Sequence, residues 1–428
     1  MKKLLIISPY FPPINAADMQ RVRMSLPYFE QFGWNPEVVL VDENFTDLAQ
    51  DELLLQSVPK DVILHKVRAL KKKWTSKLGV GSIALRSMIY YFLKVNHLLK
   101  KGNYDLIYFS TTQFPICILG AYWKRRFNIP YVIDFQDPWF SNYYQDKPKE
   151  QLPKKHWFSY NLNKYLEPIA MKKVDGIISV SESYIIDLKE RYSWLKVIPA
   201  ETITFGAFEN DLEIARENKS KFLPILDKTI ISIAYVGRGG IDFHKAITPV
   251  FEALKIGIDT QPEVFEKFKL YFIGTSYAST GNGIETIMPL AKKFNVEKYI
   301  VEITDRISYY HTLNILQDAD ALFIPGSDDP QYTASKIYPY LLTQKPMLTI
   351  FNSKSSAIRI LDEYGAQNNY SFDETENLVK KIYDFLVNLD NTGNSNIKYF
   401  EVAIHKYSAQ TLTKRQCVFF ENILNQPK

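Results

Sequence analysis

Short apolar runs rich in Ile, Val and Tyr alternate along this chain with longer stretches of helical spacing, the signature of parallel sheets with crossover helices. The runs predict strands at residues 3–8 ("KLLIIS"), 35–41, 106–111, 131–135, 176–181 and 197–205, and then a second series at 230–237, 269–274, 299–304, 321–326 and 346–351. Two successive strand-helix series imply two doubly wound domains. Sheet-like periodicity lapses and charge rises in "FENDLEIARENKSKFLPILDKTI", which puts the boundary near residue 210, with one domain over 1–209 and a second over 210–400. The closing segment 401–428 has helical spacing at Val402, Ile404, Tyr407, Leu412, Val418 and Ile423, beyond the second sheet.

Composition agrees with this division. The 428 residues exceed the roughly 250–300 at which one core stops growing. A hydrophobic content of 46%, a charged content of 23% and the 55 Phe and Tyr residues argue against extensive disorder. Cys117 and Cys417, both in apolar surroundings, have no C-x-x-C spacing, so buried free thiols in a reducing cytosol are expected rather than a disulfide framework or a zinc site. The N-terminus "MKKLLIISPYFPP" starts like a signal peptide, but its apolar run ends at Ile7, which favours a first buried strand. No stretch of about 18 uncharged apolar residues occurs, so no membrane-spanning segment is expected.

The net charge of +5 is unevenly spread. Residues 60–101 hold eleven Lys and Arg against Asp61 alone, so this block carries +10 and the rest of the chain −5. With Trp74 and the amphipathic run "SIALRSMIYYFLKVNHLLKKG", the block fits either a helix on an anionic membrane surface or a solvated basic face on an ordinary helix. A nucleic-acid partner is not expected, because no motif of a nucleic-acid module accompanies the charge.

In open parallel sheets ligands bind beyond the carboxyl ends of the strands, so the residues after each strand are the candidates for chemistry. The first strand is followed by "SPYFPPINAADMQR" without G-x-G-x-x-G, which weakens a dinucleotide-dependent oxidoreductase reading. Its small Asn15, Ala16 and Ala17 let a ligand approach the backbone, and Asp18 is either a helix cap or a ligand contact, with Gln20 and Arg21 behind it. "VIDFQDPWF" ends another strand with Gln136, Asp137 and Trp139; Asp137 would position an acceptor hydroxyl or take its proton, or else cap a helix ahead of Pro138.

In the second series "IAYVG" leads into "RGGIDFHK". Gly237 and Gly239 let the backbone pass close, and the Arg238 guanidinium with the Lys245 ammonium suits a diphosphate, held on binding and stabilised as a leaving group. After "ALFIPG" come Thr333, Ser335 and Lys336, hydroxyls and a cation just ahead of a helix. Pro339 lies in that apolar helix; with Lys336 as cap it falls in the first turn, where the missing N–H is an orphan anyway, so the helix should begin no earlier than about Lys336. Acidic pairs occur in "DAD" (318–320) and "SDD" (327–329), but no metal site is expected, and His244 and His311 stand apart from other ligand types.

Taken in order, "ISPYFPP", "YDLIYFS", "PYVIDFQDPW", "DGIISVSE", "YVGR…K", "LYFIG", "DADALFIP" and "SKIYPYLLTQKPM" resemble the retaining glycosyltransferases of family 4, over most of the chain. The resemblance implies the α/β GT-B fold: two Rossmann-like doubly wound domains facing across a cleft, with a C-terminal helix (401–428) returning to the first. It implies an N-terminal acceptor domain and a C-terminal domain for a nucleotide-diphosphate sugar, which is a donor substrate rather than a cofactor. No metal is required, because basic side chains and a helix N-terminus do that work. Arg238 and Lys245 match the diphosphate-binding pair, with slightly longer spacing than usual. The implied activity is transfer of a sugar with retention to a glycan or lipid-linked acceptor in surface polysaccharide biosynthesis, in the cytoplasm or peripherally on the inner face of the membrane.

The chain departs from the family pattern twice. "NAAD" replaces a glycine pair in the first loop, with alanines small enough to serve. At the two glutamates that engage donor sugar and ribose stand Gln331, which still hydrogen-bonds hydroxyls, and Pro339, which has no side-chain acceptor. Alternatives are therefore a non-catalytic binding or scaffold protein of a polysaccharide assembly complex, or a sugar-nucleotide epimerase, for which no acid and histidine cluster is evident.

Overall fold

The computed structural model describes residues 1–75, 81–140, 156–278, 280–329, 336–374, 376–392 and 399–426. They form two compact units, one made of Met1–Gly206 with Ala409–Lys428 and the other of Ala207–Ser408.

Continuous apolar runs become strands buried on both faces, as an all-parallel sheet covered by helices requires. In the first unit β1 (Lys2–Ile7), β2 (Trp34–Val41), β3 (Ile63–Val67), β4 (Leu106–Ser110), β5 (Tyr131–Phe135), β6 (Gly176–Ser179) and β7 (Ala200–Thr202) make a sheet of order β3-β2-β1-β4-β5-β6-β7. All its pairings are parallel, with Leu4 opposite Pro36 on one side and Leu106 on the other. Trp123, Tyr91, Phe109 and Tyr131 fill the core on one face.

The second unit repeats the winding. Its strands are β8 (Ile231–Val236), β9 (Phe268–Ile273), β10 (Ile300–Ile303), β11 (Ala321–Pro325), β12 (Met347–Phe351) and β13 (Asn368–Ser371), in the order β10-β9-β8-β11-β12-β13. Phe251, Phe265, Phe272 and Leu386 anchor its core. In each sheet the winding reverses beside the first strand, between β1 and β4 and between β8 and β11, and open α/β sheets form ligand crevices at that point.

Three features differ from the sequence expectations. Edge strands β3 and β13 were not expected; β3 exposes Ile63 and Lys66, and β13 is "NNYS", so neither reads as an apolar run. The run 197–205 yields only Ala200–Thr202, because Ser193–Val197 is a 3-10 turn. The closing segment is two helices rather than one. Glu401–Lys406 belongs with the second unit, and Ala409–Leu424 packs on the first. There Phe420 meets Trp34 and Tyr108 at centroid distances of 5.5 and 5.0 Å, Gln416 donates to Ser25 Oγ, and Glu421 pairs with Lys2.

The basic amphipathic segment is also placed. Ser82 caps the helix Ile83–Lys101, accepting from the Leu85 N–H. Ile83, Ala84, Tyr91, Val95 and Leu99 are buried in the sheet core, so the apolar face offered to lipid by the sequence faces protein instead. Arg86 is buried too, donating to the Leu70 and Phe45 carbonyls, and Lys66 and Lys72 pair with Glu43 and Asp47. Both cysteines are free and buried, which pushes the Cys417 thiol up to about 12 and the Cys117 thiol higher still. Among the described residues no helix is long and apolar enough to cross a membrane.

Candidate active site

In the second unit the turn after β8 gathers the basic side chains. Gly237 extends the strand, its N–H donating to the Ile273 carbonyl, and Lys336 Nζ occupies the space that a Cβ at Gly237 would fill. Gly240 has φ +149°, and a Cβ there would collide with Asp242 Oδ1. This glycine lets the chain fold back so that Asp242 accepts both guanidinium arms of Arg238, at 3.1 and 2.8 Å. Arg238 also lies 4.4 Å over the Phe243 ring, so ring and carboxylate fix its direction together.

Asp242 reaches across the winding reversal. Its Oδ2 accepts from Ser327 Oγ at 2.8 Å, and its carbonyl accepts from the Asp328 N–H, which joins the loop after β8 to the loop after β11. Partial burial works to raise its pKa, but the bonds from Arg238 and Ser327 outweigh that and hold the carboxyl below its ordinary value. Gly239 donates to the Thr275 carbonyl in the loop after β9. Glu302 of β10 fixes that loop by accepting from Thr275 Oγ1 and from the N–H groups of Thr286, Ile287 and Met288.

Lys336 caps the helix Ile337–Leu342, so that helix starts where Pro339 in its first turn requires. Its Nζ donates to Tyr235 Oη at 3.0 Å, and the phenol in turn donates to the Arg238 carbonyl at 2.9 Å. Burial, followed by the charges of Arg238 and Arg306, pushes the Lys336 ammonium down to about 7. Lys245 goes elsewhere: it is exposed on the helix His244–Thr260, with Nζ 6.0 Å from the Phe372 ring. The cation set by the turn is thus Arg238, Lys336 and Arg306, and Tyr235, Asp242, Ser327 and Arg306 are site residues the sequence reading missed. Asp242 was visible as an acid four residues after Arg238; Arg306 is separated from the turn by two strands. Gln331, Thr333 and Ser335 lie outside the described residues.

The first unit has its own carboxylates at strand ends. Asp18, after β1, caps no helix and is buried; it accepts from Thr111 Oγ1 and from the Thr112 N–H and Oγ1, after β4. Burial outweighs these bonds and raises its pKa. Ala16 and Ala17 border it at the surface with Ala16 at φ −121°, where alanine needs no glycine. Gln136 donates to the Asp18 carbonyl, Ser110 Oγ and Asp134. Arg21 is spent structurally: its Nε lies 2.7 Å from buried Asp134, and it donates to the Ile203 and Thr204 carbonyls.

Asp137 keeps an exposed face, and no described helix starts at Pro138 for it to cap. The enclosing protein and then the Asp18 charge push its pKa up to about 6. Trp139 is anchored by Asn163 and stacks on Phe114. His244 and His311 contact the carbonyls of Thr286 and Leu223. Among the described residues no three His, Cys, Asp or Glu side chains cluster as a metal set would.

Comparison with known proteins adds a family match over part of the chain and a fold over all of it. Residues 62–202, about a third of the chain, match the family model Glycosyltransferase Family 4. No curated protein sequence matches. Among solved structures, sucrose-phosphate synthase from Thermosynechococcus elongatus superposes with a TM-score of 0.59 at 14% identity, covering 99% of each chain. A trehalose-6-phosphate protein from E. coli bound with UDP-2-fluoro glucose superposes at 0.55 and 13%, covering 100% of each chain. WaaG, a glycosyltransferase involved in lipopolysaccharide biosynthesis, superposes at 0.55 and 13%, covering 98% of this chain and 99% of its own. Likeness at such identities speaks to the fold, which is the GT-B fold of glycosyltransferases, while the resemblance to family 4 is confined to residues 62–202.

Proposed function

We propose that this chain transfers a sugar from a nucleotide-diphosphate sugar to a glycan or lipid-linked acceptor, with retention of configuration and without a metal ion. The observation that carries the reading is the cation set beside the turn after β8, where Arg238 is held in direction by Asp242 and Phe243, and Arg238 and Arg306 both lie within electrostatic reach of Lys336. Such fixed charge neutralises a diphosphate that gains negative charge as the glycosidic bond breaks. In this mechanism Arg238 and Lys336 hold the departing diphosphate, and the acceptor hydroxyl attacks from the face that the diphosphate leaves. Asp137 positions that hydroxyl or takes its proton.

The likeness to a structure holding a UDP-sugar analogue supports the donor class. The likeness to a glycosyltransferase involved in lipopolysaccharide biosynthesis supports a surface-polysaccharide role. Purified protein titrated with a panel of sugar nucleotides should bind at least one and hydrolyse it slowly, in EDTA as well as without it. Arg238→Ala should weaken that binding by about tenfold or more, the loss of a charge-assisted bond worth ~1.5–3 kcal/mol. Failure of every donor to bind would sink the reading.

Pro339 in place of a carboxylate favours a second reading, a binding or scaffold protein that turns nothing over. Donor binding with no hydrolysis and no transfer to any acceptor would select it.

A further inference from the structure

Lys336 is placed in a way that a simple electrostatic clamp does not need. Its Nζ lies 4.7 Å over the Tyr235 ring and donates to the Tyr235 hydroxyl, and Gly237 presents no side chain beneath it. Among the described residues the charged groups that act on it are cations: Arg238 from the turn after β8 and Arg306 from the loop after β10. Among the described residues no carboxylate pairs with it, and Asp242 is occupied by Arg238 and Ser327. An ammonium enclosed beside two guanidiniums is disfavoured, whereas a neutral amine keeps its bond to the phenol oxygen.

A diphosphate reverses this balance, since it supplies the anion that the protein withholds. We propose that the site binds a nucleoside diphosphate together with one proton from solvent, which Lys336 Nζ takes up, so that the amine is neutral in the free protein and an ammonium in the complex. The inference rests on the donor-site reading above. It makes donor capture and diphosphate release pH-dependent steps, and it gives Lys336 a role that arginine cannot reproduce, because a guanidinium remains protonated throughout.

The test is calorimetric titration with UDP, GDP and ADP at about pH 8, where the terminal phosphate is already ionised, in buffers of different ionisation heat. The dependence of observed heat on buffer counts the protons exchanged. About one proton should be taken up per diphosphate bound, and Kd should rise about tenfold per pH unit above neutrality. Lys336→Arg should bind with no uptake and a flat pH profile, and Lys336→Met should bind weakly, also without uptake; thermal melts confirm that each variant is folded. Binding without proton uptake, or equal uptake in Lys336→Arg, overturns the proposal and leaves the donor site standing. Competitive acetylation of the unliganded protein, read at the peptide carrying Lys336, should titrate near neutrality, and a midpoint in the ordinary lysine range likewise overturns it. If none of the three diphosphates binds, the donor-site reading fails and this inference with it.

Discussion

One amine controls more than ligand contact. Lys336 has a pKa lowered from 10.5 to about 7 in the folded chain, by burial first and by Arg238 and Arg306 second. Between those two values the unfolded chain binds the extra proton and the folded chain does not, so stability rises as pH rises through that window. Below about 7 both states carry the charge and the folded state bears the full penalty. The urea midpoint of the second unit should therefore increase from pH 7 to pH 9, and Lys336→Met should be more stable than wild type at pH 7 with this slope reduced. An unchanged slope in the variant would assign the dependence to other groups. The Asp242 carboxylate has the opposite character, since its bonds to Arg238 and Ser327 favour ionisation, and its stabilisation disappears only in acid.

At the scale of elements, both winding reversals are closed by the same device, an aspartate after the first strand accepting from hydroxyls after the fourth. Asp18 accepts from Thr111 and Thr112, and Asp242 accepts from Ser327. The sequence showed the strands, because a strand buried on both faces writes itself as a continuous apolar run. It did not show these cross-links, since no spacing rule relates Asp18 to Thr111 or Tyr235 to Lys336; only the sheet order brings them together. Edge strands β3 and β13 escaped for a related reason, having one side in water and mixed composition. The amphipathic helix Ile83–Lys101 shows the converse hazard, because its apolar stripe is the same whether it meets lipid or a sheet.

The buried pair between Arg21 and Asp134 is also an element-scale feature, tying the helix Gln20–Ser25 to β5 and, through the Ile203 and Thr204 carbonyls, to the end of β7. Both side chains are at most 3% exposed. Asp134→Ala leaves a buried guanidinium without its counter-charge and should lower stability by about 3–5 kcal/mol, read from urea unfolding. A loss below about 1 kcal/mol would mean that the carbonyls alone satisfy Arg21.

At the scale of the whole molecule, the first unit is completed by residues that follow the second in sequence. Ending the chain at Ser408 removes Phe420 from Trp34 and Tyr108, and also Phe419 and Ile423 from beside Gly176. Differential scanning calorimetry of that truncation should show the first unit melting well below its full-length transition, with the second unit little changed. An equal downward shift of both would show that the two stabilities are coupled.

The same interleaving sets an order of events at the ribosome. Domains generally fold N-terminal first as they emerge, at about 5–20 residues per second. Here the seven-stranded sheet is finished only when its last helix arrives, after Ala207–Ser408 has been made. For about 10–40 s at those rates the nascent sheet keeps Trp34 and Tyr108 uncovered. That interval is the window in which a holdase chaperone would find the newborn chain, and it closes only with the arrival of Ala409–Leu424.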